Sequence, residues 1–371
     1  MKILVINWQD RKNPLSGGAE THLHEIFSRI ARWGNEVTLL CSSFNNVPKR
    51  EVVDNINIVR IGERYNFNFY VPSATQYLLK KNNYDIVIDD INKIPFFTPI
   101  YVKKKPILVI LHHFFGHSIY REAILPSALY VNFAERLVPF IYKKKVFAVA
   151  SKSTRDELVK KGIPNENIHT IYNAVLQGLK PDFAKKSSTP LIMIYGRIKK
   201  YKCPDICLHA MKIVSSQVPE AKLVVAGGGN YLPALIELSK KLGLEENVEF
   251  LGFVPEEKKR KLLQSAWVVV NTSLKEGWGI TVIEANTCGT PVVASDSPGL
   301  RDSVIDGETG FLVKHGNIEN LADKIIQILR DKRLQDTLSR NAVKWASKFS
   351  WDDSAQKMLR LIQSIVEKKN I

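Results

Sequence analysis

Short apolar runs alternate along the chain with longer stretches whose apolar residues recur at helical spacing. Ile3–Ile6, Val37–Leu40, Ile86–Ile88, Ile107–Leu111 and Val146–Ala150 are apolar at nearly every position. Such runs predict strands buried on both faces and joined by crossover helices, hence a parallel α/β sheet. Glu20 to Trp33 predicts the first helix, closed by Gly34. A polar segment with two prolines, Lys180 to Pro190, follows and resembles a linker. The alternation then restarts, with strands expected at Leu191–Tyr195, Leu223–Ala226, Val248–Leu251, Trp267–Asn271 and Pro291–Ala294, and helices at Cys203–Gln217 and Tyr231–Leu242. The expected division is an N-terminal α/β domain at 1–180, a linker at 181–190, a C-terminal α/β domain at 191–350, and a helix at 351–371 that can pack back on the first domain. Trp345, Phe349 and Trp351 are the expected anchors of that tail. Two such domains would hold ligands in a cleft at the carboxyl ends of their strands.

At 371 residues and 45% hydrophobic composition the chain has room for two cores. Lys and Arg exceed Asp and Glu by 53 to 37, a net charge of +16. That excess suits an anionic partner or simply a solvated surface. Lys103–Lys105 and Lys143–Lys145 stand beside apolar segments, which favours an anionic membrane face over a nucleic-acid groove, and no nucleic-acid motif appears. Arg121 to Tyr142, with Ile124, Leu125, Ala128, Leu129, Phe133, Leu137, Phe140 and Ile141 followed by three lysines, reads either as a packed helix of the first domain or as an interfacial helix. The packed reading is preferred, and Pro126 and Pro139 are expected to interrupt the segment. Cys41, Cys203, Cys207 and Cys288 show neither a disulfide framework nor metal spacing, so buried thiols and no metal are expected. The apolar start is too short for a signal peptide, and no apolar stretch reaches spanning length. A cytoplasmic protein is expected, with the option of peripheral attachment to the inner face of the membrane.

The candidate chemistry centres on Glu276-Gly-Trp-Gly-Ile-Thr-Val-Ile-Glu284. A Gly-rich loop here runs into a helix start, a place suited to a phosphate by free N–H groups and the helix dipole. Two carboxylates flank it as hydroxyl acceptors. A phosphate cradle between hydroxyl readers describes a nucleoside diphosphate sugar. Arg197 and Lys202, after the strand ending at Tyr195, could clamp a diphosphate; taken alone, their spacing better fits a solvated basic loop. Gly227-Gly228-Gly229 suits a close ligand approach or a tight turn, but does not make a dinucleotide fingerprint. Gly17-Gly18-Ala19-Glu20 opens the first helix as a second anion site or as a plain glycine turn. His112 and His113 end a strand, where a structural role competes with one at a reacting centre.

With these residues in view, the chain resembles the retaining glycosyltransferases of family 4, whose GT-B fold sets two Rossmann-like domains facing each other across a deep cleft. The likeness covers almost the whole chain and is strongest from Tyr195 to Val313, above all in the two glutamates and in Asp306-Gly-Glu-Thr-Gly-Phe-Leu-Val. The resemblance implies that Glu284 holds the ribose hydroxyls and Glu276 those of the donor sugar. Gly279, Ile280 and Thr281 would offer backbone N–H groups to the diphosphate, with Arg197 and Lys202 on the same group as it leaves. Gly18 would approach it from the other domain, and His112, rather than His113, would lie near the reacting side of the sugar. Catalytic roles thus fall on His112, Arg197, Lys202 and Glu276. It further implies a UDP- or GDP-sugar co-substrate with no other cofactor, a glycan or lipid-linked acceptor, and work in cell-surface glycan or glycolipid synthesis. Asn173-Ala174-Val175, Trp278 and Ser297-Pro298-Gly299 depart from the family pattern. Two rivals remain: a sugar-nucleotide epimerase on the same fold, and a non-catalytic basic protein that binds nucleotide sugars.

Overall fold

The computed structural model describes residues 1–175 and 178–368. They divide into two compact units, 1–116 with 125–173 and 350–371, and 117–124 with 174–349. Residues 176–177 and 369–371 fall in the expected first domain and terminal helix, and lie outside the described residues.

The first unit carries a sheet with eight strands among the described residues: β1 Lys2–Ile6, β2 Glu36–Ser42, β3 Arg50–Val53, β4 Ile56–Ile61, β5 Ile86–Ile91, β6 Ile107–Leu111, β7 Val146–Val149 and β8 Ile168–Thr170. Their order is β3-β4-β2-β1-β5-β6-β7-β8, parallel except for the β3–β4 hairpin. Ile3, Leu4, Val5 and Ile6 are all fully buried, as expected of a central strand covered on both faces. The hairpin turns through Asp54 and Asn55, both at positive φ, a short two-residue connection that suits the twist of paired strands.

The second unit holds β9 Leu191–Tyr195, β10 Lys222–Ala226, β11 Val248–Gly252, β12 Val268–Asn271, β13 Val292–Ser295 and β14 Gly310–Val313. All pair in parallel, in the order β11-β10-β9-β12-β13-β14. Ile192 and Ile194 pack into one core with Leu208 and Met211, while Met193 between them packs into another with Val282 and Ala285. Helices therefore cover both faces. The strand order reverses between β9 and β12, and the loops leaving those two strands open at that switch point, where open α/β sheets place their ligands.

Three expectations need correction. Segment 181–190 is no free linker, because it lies inside the second unit. Lys186 Nζ bonds to Ala266 O and to Thr290 Oγ1 at 2.5 and 2.7 Å, and Trp267 Nε1 donates to Ser187 O. The tail aromatics do anchor the tail, but not to one core: Trp345 and Phe349, whose rings meet edge-on at 5.0 Å, serve the second unit. Trp345 Nε1 caps Ser303 O and Phe349 stacks on Trp278 in the second unit, whereas Trp351 is buried in the first. There the helix Trp351–Glu367 packs on the helix Gly18–Arg32, with Trp351 against His22 and Arg29 Nε 2.5 Å from Asp352. Finally, Pro126 and Pro139 do not interrupt Leu125–Ile141, which is one continuous helix. Pro126 sits in its first turn, where no backbone donor is needed, and Pro139 lies two residues from the end.

Candidate active site

Two loops at the switch point of the second sheet carry the charged residues. After β9 the chain turns at Gly196 and passes Arg197 to a short 3-10 turn, Lys200–Lys202. After β12 it runs through Ser273 and Glu276 to Gly279, which is left-handed at φ 88° and starts the helix Ile280–Thr287. A Cβ on Gly279 would stand 2.8 Å from Ser303 Oγ, so conformation and space both require glycine.

Glu276 is fixed from several sides. Lys202 Nζ lies 2.7 Å from its Oε1, Ser273 Oγ donates to that oxygen at 2.8 Å, and its own N–H donates to Pro298 O at 3.0 Å. A Cβ on Gly299, itself at φ 83°, would come within 2.2 Å of Glu276 O. The Ser-Pro-Gly departure from the family pattern therefore still brackets the glutamate. Burial pulls the Lys202 ammonium toward neutrality, but Glu276 and Tyr201 outweigh it and hold its pKa above the usual lysine value.

Glu284 sits one turn into the helix, 6% exposed. Lys259 Nζ, from the helix Glu256–Ser265, is 2.9 Å from its Oε1, and Tyr195 Oη donates to its Oε2 at 3.1 Å. Tyr195 Oη also bonds to Thr281 O. Burial first, then Glu284, push the Tyr195 hydroxyl well above its usual pKa, so it stays a donor. Lys259 is lowered by burial and raised more by Glu284 and Glu256. Thr281 Oγ1 accepts from Asn271 Nδ2 at 3.1 Å, which ties the helix start to the end of β12.

The structure thus brings Lys202, Glu276, Gly279, Ile280, Thr281 and Glu284 together on one rim of one sheet. Arg197 stands on the same loop as Lys202, exposed, with no side-chain hydrogen bond or ion pair among the described residues. Tyr195, Ser273 and Lys259 escaped the sequence reading. Tyr195 reads as the last residue of a strand, and Lys259 as one member of a solvated charge run. Two of the three glycines, Gly227 and Gly229, have a further cause beside the ligand approach or tight turn expected. A Cβ on Gly227 or Gly229 would fall 1.8 or 2.0 Å from the carbonyl oxygens of Gly196 or Ile198, so these glycines let the β10 loop lie against the β9 loop.

In the first unit, His112 follows β6 directly and is 7% exposed, its Nε2 2.8 Å from Asp90 Oδ1. Asn7 Nδ2 bonds to the other Asp90 oxygen at 3.1 Å, and the His22 ring meets His112 edge-on at 5.0 Å. Burial lowers the His112 pKa, but Asp90 foremost and then Glu20 raise it further, for a net increase. Gly18 opens its helix as expected, and Glu20 Oε2 accepts from Gly17 N at 2.7 Å while Asn92 Nδ2 holds Oε1.

Residues 178–345 match the family described as glycosyl transferases group 1, and residues 16–175 match glycosyltransferase family 4. A D-inositol 3-phosphate glycosyltransferase of Mycobacterium leprae is 36% identical over 176 residues, 46% of this chain and 40% of the relative. The matched stretch is thus less than half the length of that relative. An uncharacterised glycosyltransferase of Methanocaldococcus jannaschii is 24% identical over 99% of both chains. Among solved structures, sucrose-phosphate synthase of Thermosynechococcus elongatus superposes with a TM-score of 0.81 at 20% identity, covering 99% of each chain. Anabaena HepE in complex with UDP and glucose superposes with a TM-score of 0.78 at 20% identity, covering 98% of this chain and all of that one. At such identities the likeness is one of fold, and the fold is the expected pair of parallel-sheet α/β domains.

Proposed function

We propose that this chain, which belongs to the group 1, family 4 glycosyltransferases and has their GT-B fold, moves a sugar from a nucleoside diphosphate to a hydroxyl acceptor with retention at the anomeric carbon. The observation that carries the proposal is the placing of two lysine–glutamate pairs, Lys202–Glu276 and Lys259–Glu284, on either side of the helix start at Gly279. The helix start takes the diphosphate through the N–H groups of Gly279, Ile280 and Thr281. Glu284, held by Tyr195 and Lys259, accepts from the ribose hydroxyls. Glu276 accepts from the hydroxyls of the transferred sugar.

Lys202 and Arg197 supply the positive charge that the departing diphosphate needs, so no metal is required. The bond from the anomeric carbon to the phosphate oxygen breaks, and the bond to the acceptor oxygen forms on the same face of the sugar. The acceptor proton passes to the leaving phosphate. Gly18 and His112 of the first unit take, by resemblance to the family, contacts to the diphosphate and the sugar. A glycan or lipid-linked acceptor, in cell-surface glycan or glycolipid synthesis, fits the same reading.

The test is a panel of UDP- and GDP-sugars scored by thermal stabilisation and by nucleotide release with and without sugar acceptors. UDP-sugars come first because a fold neighbour holds UDP and glucose. Expected are a rise in melting temperature with one donor, release that depends on acceptor, and a product of the donor's own anomeric configuration. An inverted product would overturn retention. Conversion of the donor without any acceptor would favour an epimerase instead.

A further inference from the structure

We propose that the helix Leu125–Ile141 docks the first unit onto an anionic lipid surface, lying on it without crossing. Its polarity is reversed. Ala128, Ala134, Glu135 and Val138 face inward and are buried, with Glu135 accepting from the N–H groups of Phe115 and Gly116 at 2.5 and 3.0 Å. Outward stand Leu125, Leu129, Phe133 and Phe140, between 53 and 79% exposed. At 3.6 residues per turn these four fall within about 80° of the helix circumference, opposite the buried side chains. A surface helix normally turns its charged face to water. The neighbouring helix Phe67–Lys81, joined to it by Asn68 Nδ2 to Tyr130 Oη at 3.2 Å, adds Phe69 and Tyr77, 75 and 54% exposed.

Charge identifies the occupant. Strands β5, β6 and β7 are adjacent and parallel, with Val87 opposite Ile107 and Leu108 opposite Val146, so their starts share one edge of the sheet. A lysine cluster precedes each start: Lys80–Lys81, Lys103–Lys105 and Lys143–Lys145. Lys103 lies close enough to Lys145 to help lower its pKa, after burial. The segments 67–81, 98–105 and 125–145 contain one acidic residue, Glu135, and it is buried. The exposed apolar stripe therefore ends, at Phe140, beside a basic edge where the half-buried Asp85, just ahead of β5, accepts from Lys2 N at 2.7 Å and the lysines stay in excess. An interfacial helix inserts its apolar side chains among acyl chains while lysines meet lipid phosphates. A second copy of this chain would bring a second excess of lysines to the same contact. Among the described residues no helix is long and apolar enough to cross a membrane.

Flotation with vesicles of phosphatidylcholine, alone or mixed with phosphatidylglycerol, tests the proposal on the full chain. The protein should rise with the mixed vesicles, less so as salt increases, and stay down with phosphatidylcholine alone. The variant Leu129→Glu/Phe133→Glu/Phe140→Glu should stay down with both, its melting temperature unchanged because the side chains are exposed. Lys143→Gln/Lys144→Gln, which leaves the apolar stripe intact, should lower the partition by about fivefold per lysine. No flotation with either vesicle, equal flotation with both, or variants that float like the parent would overturn it. So would a dimer in solution that Phe133→Glu splits while vesicle binding is absent.

Discussion

Nζ of Lys202 lies 2.7 Å from Oε1 of Glu276, and the two residues come from the loops that follow the adjacent strands β9 and β12. The pair joins the group assigned to the leaving diphosphate to the group assigned to the sugar. On the proposed function, a bound donor would offer Lys202 a second, more highly charged partner, and the lysine would stand where negative charge grows as the bond breaks. Lys202→Ala should lower kcat by about 10²–10³, the usual effect of removing one positioned electrostatic donor. Saturating-donor kinetics on the purified variant check this. Full turnover would remove Lys202 from the reaction.

Tyr195 should act on binding more than on rate. Its single hydroxyl proton is shared between Glu284 Oε2 and the Thr281 carbonyl, so it fixes Glu284 relative to the helix start. Tyr195→Phe deletes one shared hydrogen bond worth about 0.5–1.5 kcal/mol and should raise the donor KM several-fold with kcat little changed. Glu284→Ala should cost more, because it removes the reader and one partner of Lys259, whose side chain is 13% exposed. An equal fall in kcat and kcat/KM for Tyr195→Phe would show that the tyrosine works in the transition state instead.

The order of elements was legible because buried parallel strands are apolar at every position and the helices between them are not. Ile3–Ile6 and Ile107–Leu111 were plain for that reason. The β3–β4 hairpin was missed: its strands lie at the sheet edge, alternate buried with exposed residues, and turn on Asp54-Asn55 without a glycine. Glu276, Gly279 and Glu284 were legible because a glycine loop feeding a helix leaves a local signature. Lys259 was not. Its meeting with Glu284 depends on how the helix Glu256–Ser265 packs, and spacing along the chain does not encode that. Segment 181–190 looked like a linker because Lys186 and Ser187 are polar, although their hydrogen bonds reach residues about eighty or a hundred positions away.

Glycines of the second unit should differ sharply when replaced. Gly299→Ala meets the carbonyl of Glu276 and must also adopt a left-handed backbone, so it should destabilise by more than about 1 kcal/mol and weaken donor binding. Gly227→Ala meets the Gly196 carbonyl and should fail similarly. Gly228→Ala has nothing within 4 Å of its new methyl group and should be within about 0.5 kcal/mol of the parent. Thermal melts of the three proteins decide this. A Gly228→Ala protein as unstable as the others would mean that the loops pack otherwise.

The His112–Asp90 pair should make stability depend on pH in a direction set by its neighbours. Burial alone would lower the His112 pKa, as it does for His22 beside it, but Asp90 and Glu20 raise it above 6.5. A raised folded-state pKa means that the folded protein holds the proton more tightly than the unfolded chain. The contribution of the pair is therefore complete below pH 6.5 and is lost as pH rises through the raised value. His22, with a lowered pKa, works in the opposite sense: its contribution is present above 6.5 and lost as pH falls. Asp90→Asn removes the largest opposing charge, so the His112 pKa should drop, and the melting-temperature gap to the parent should be widest in acid and narrow toward alkaline pH. Histidine-ring NMR titration of both proteins separates the two residues. An unchanged His112 titration in Asp90→Asn would show that Asp90 only packs against the ring and does not hold its proton.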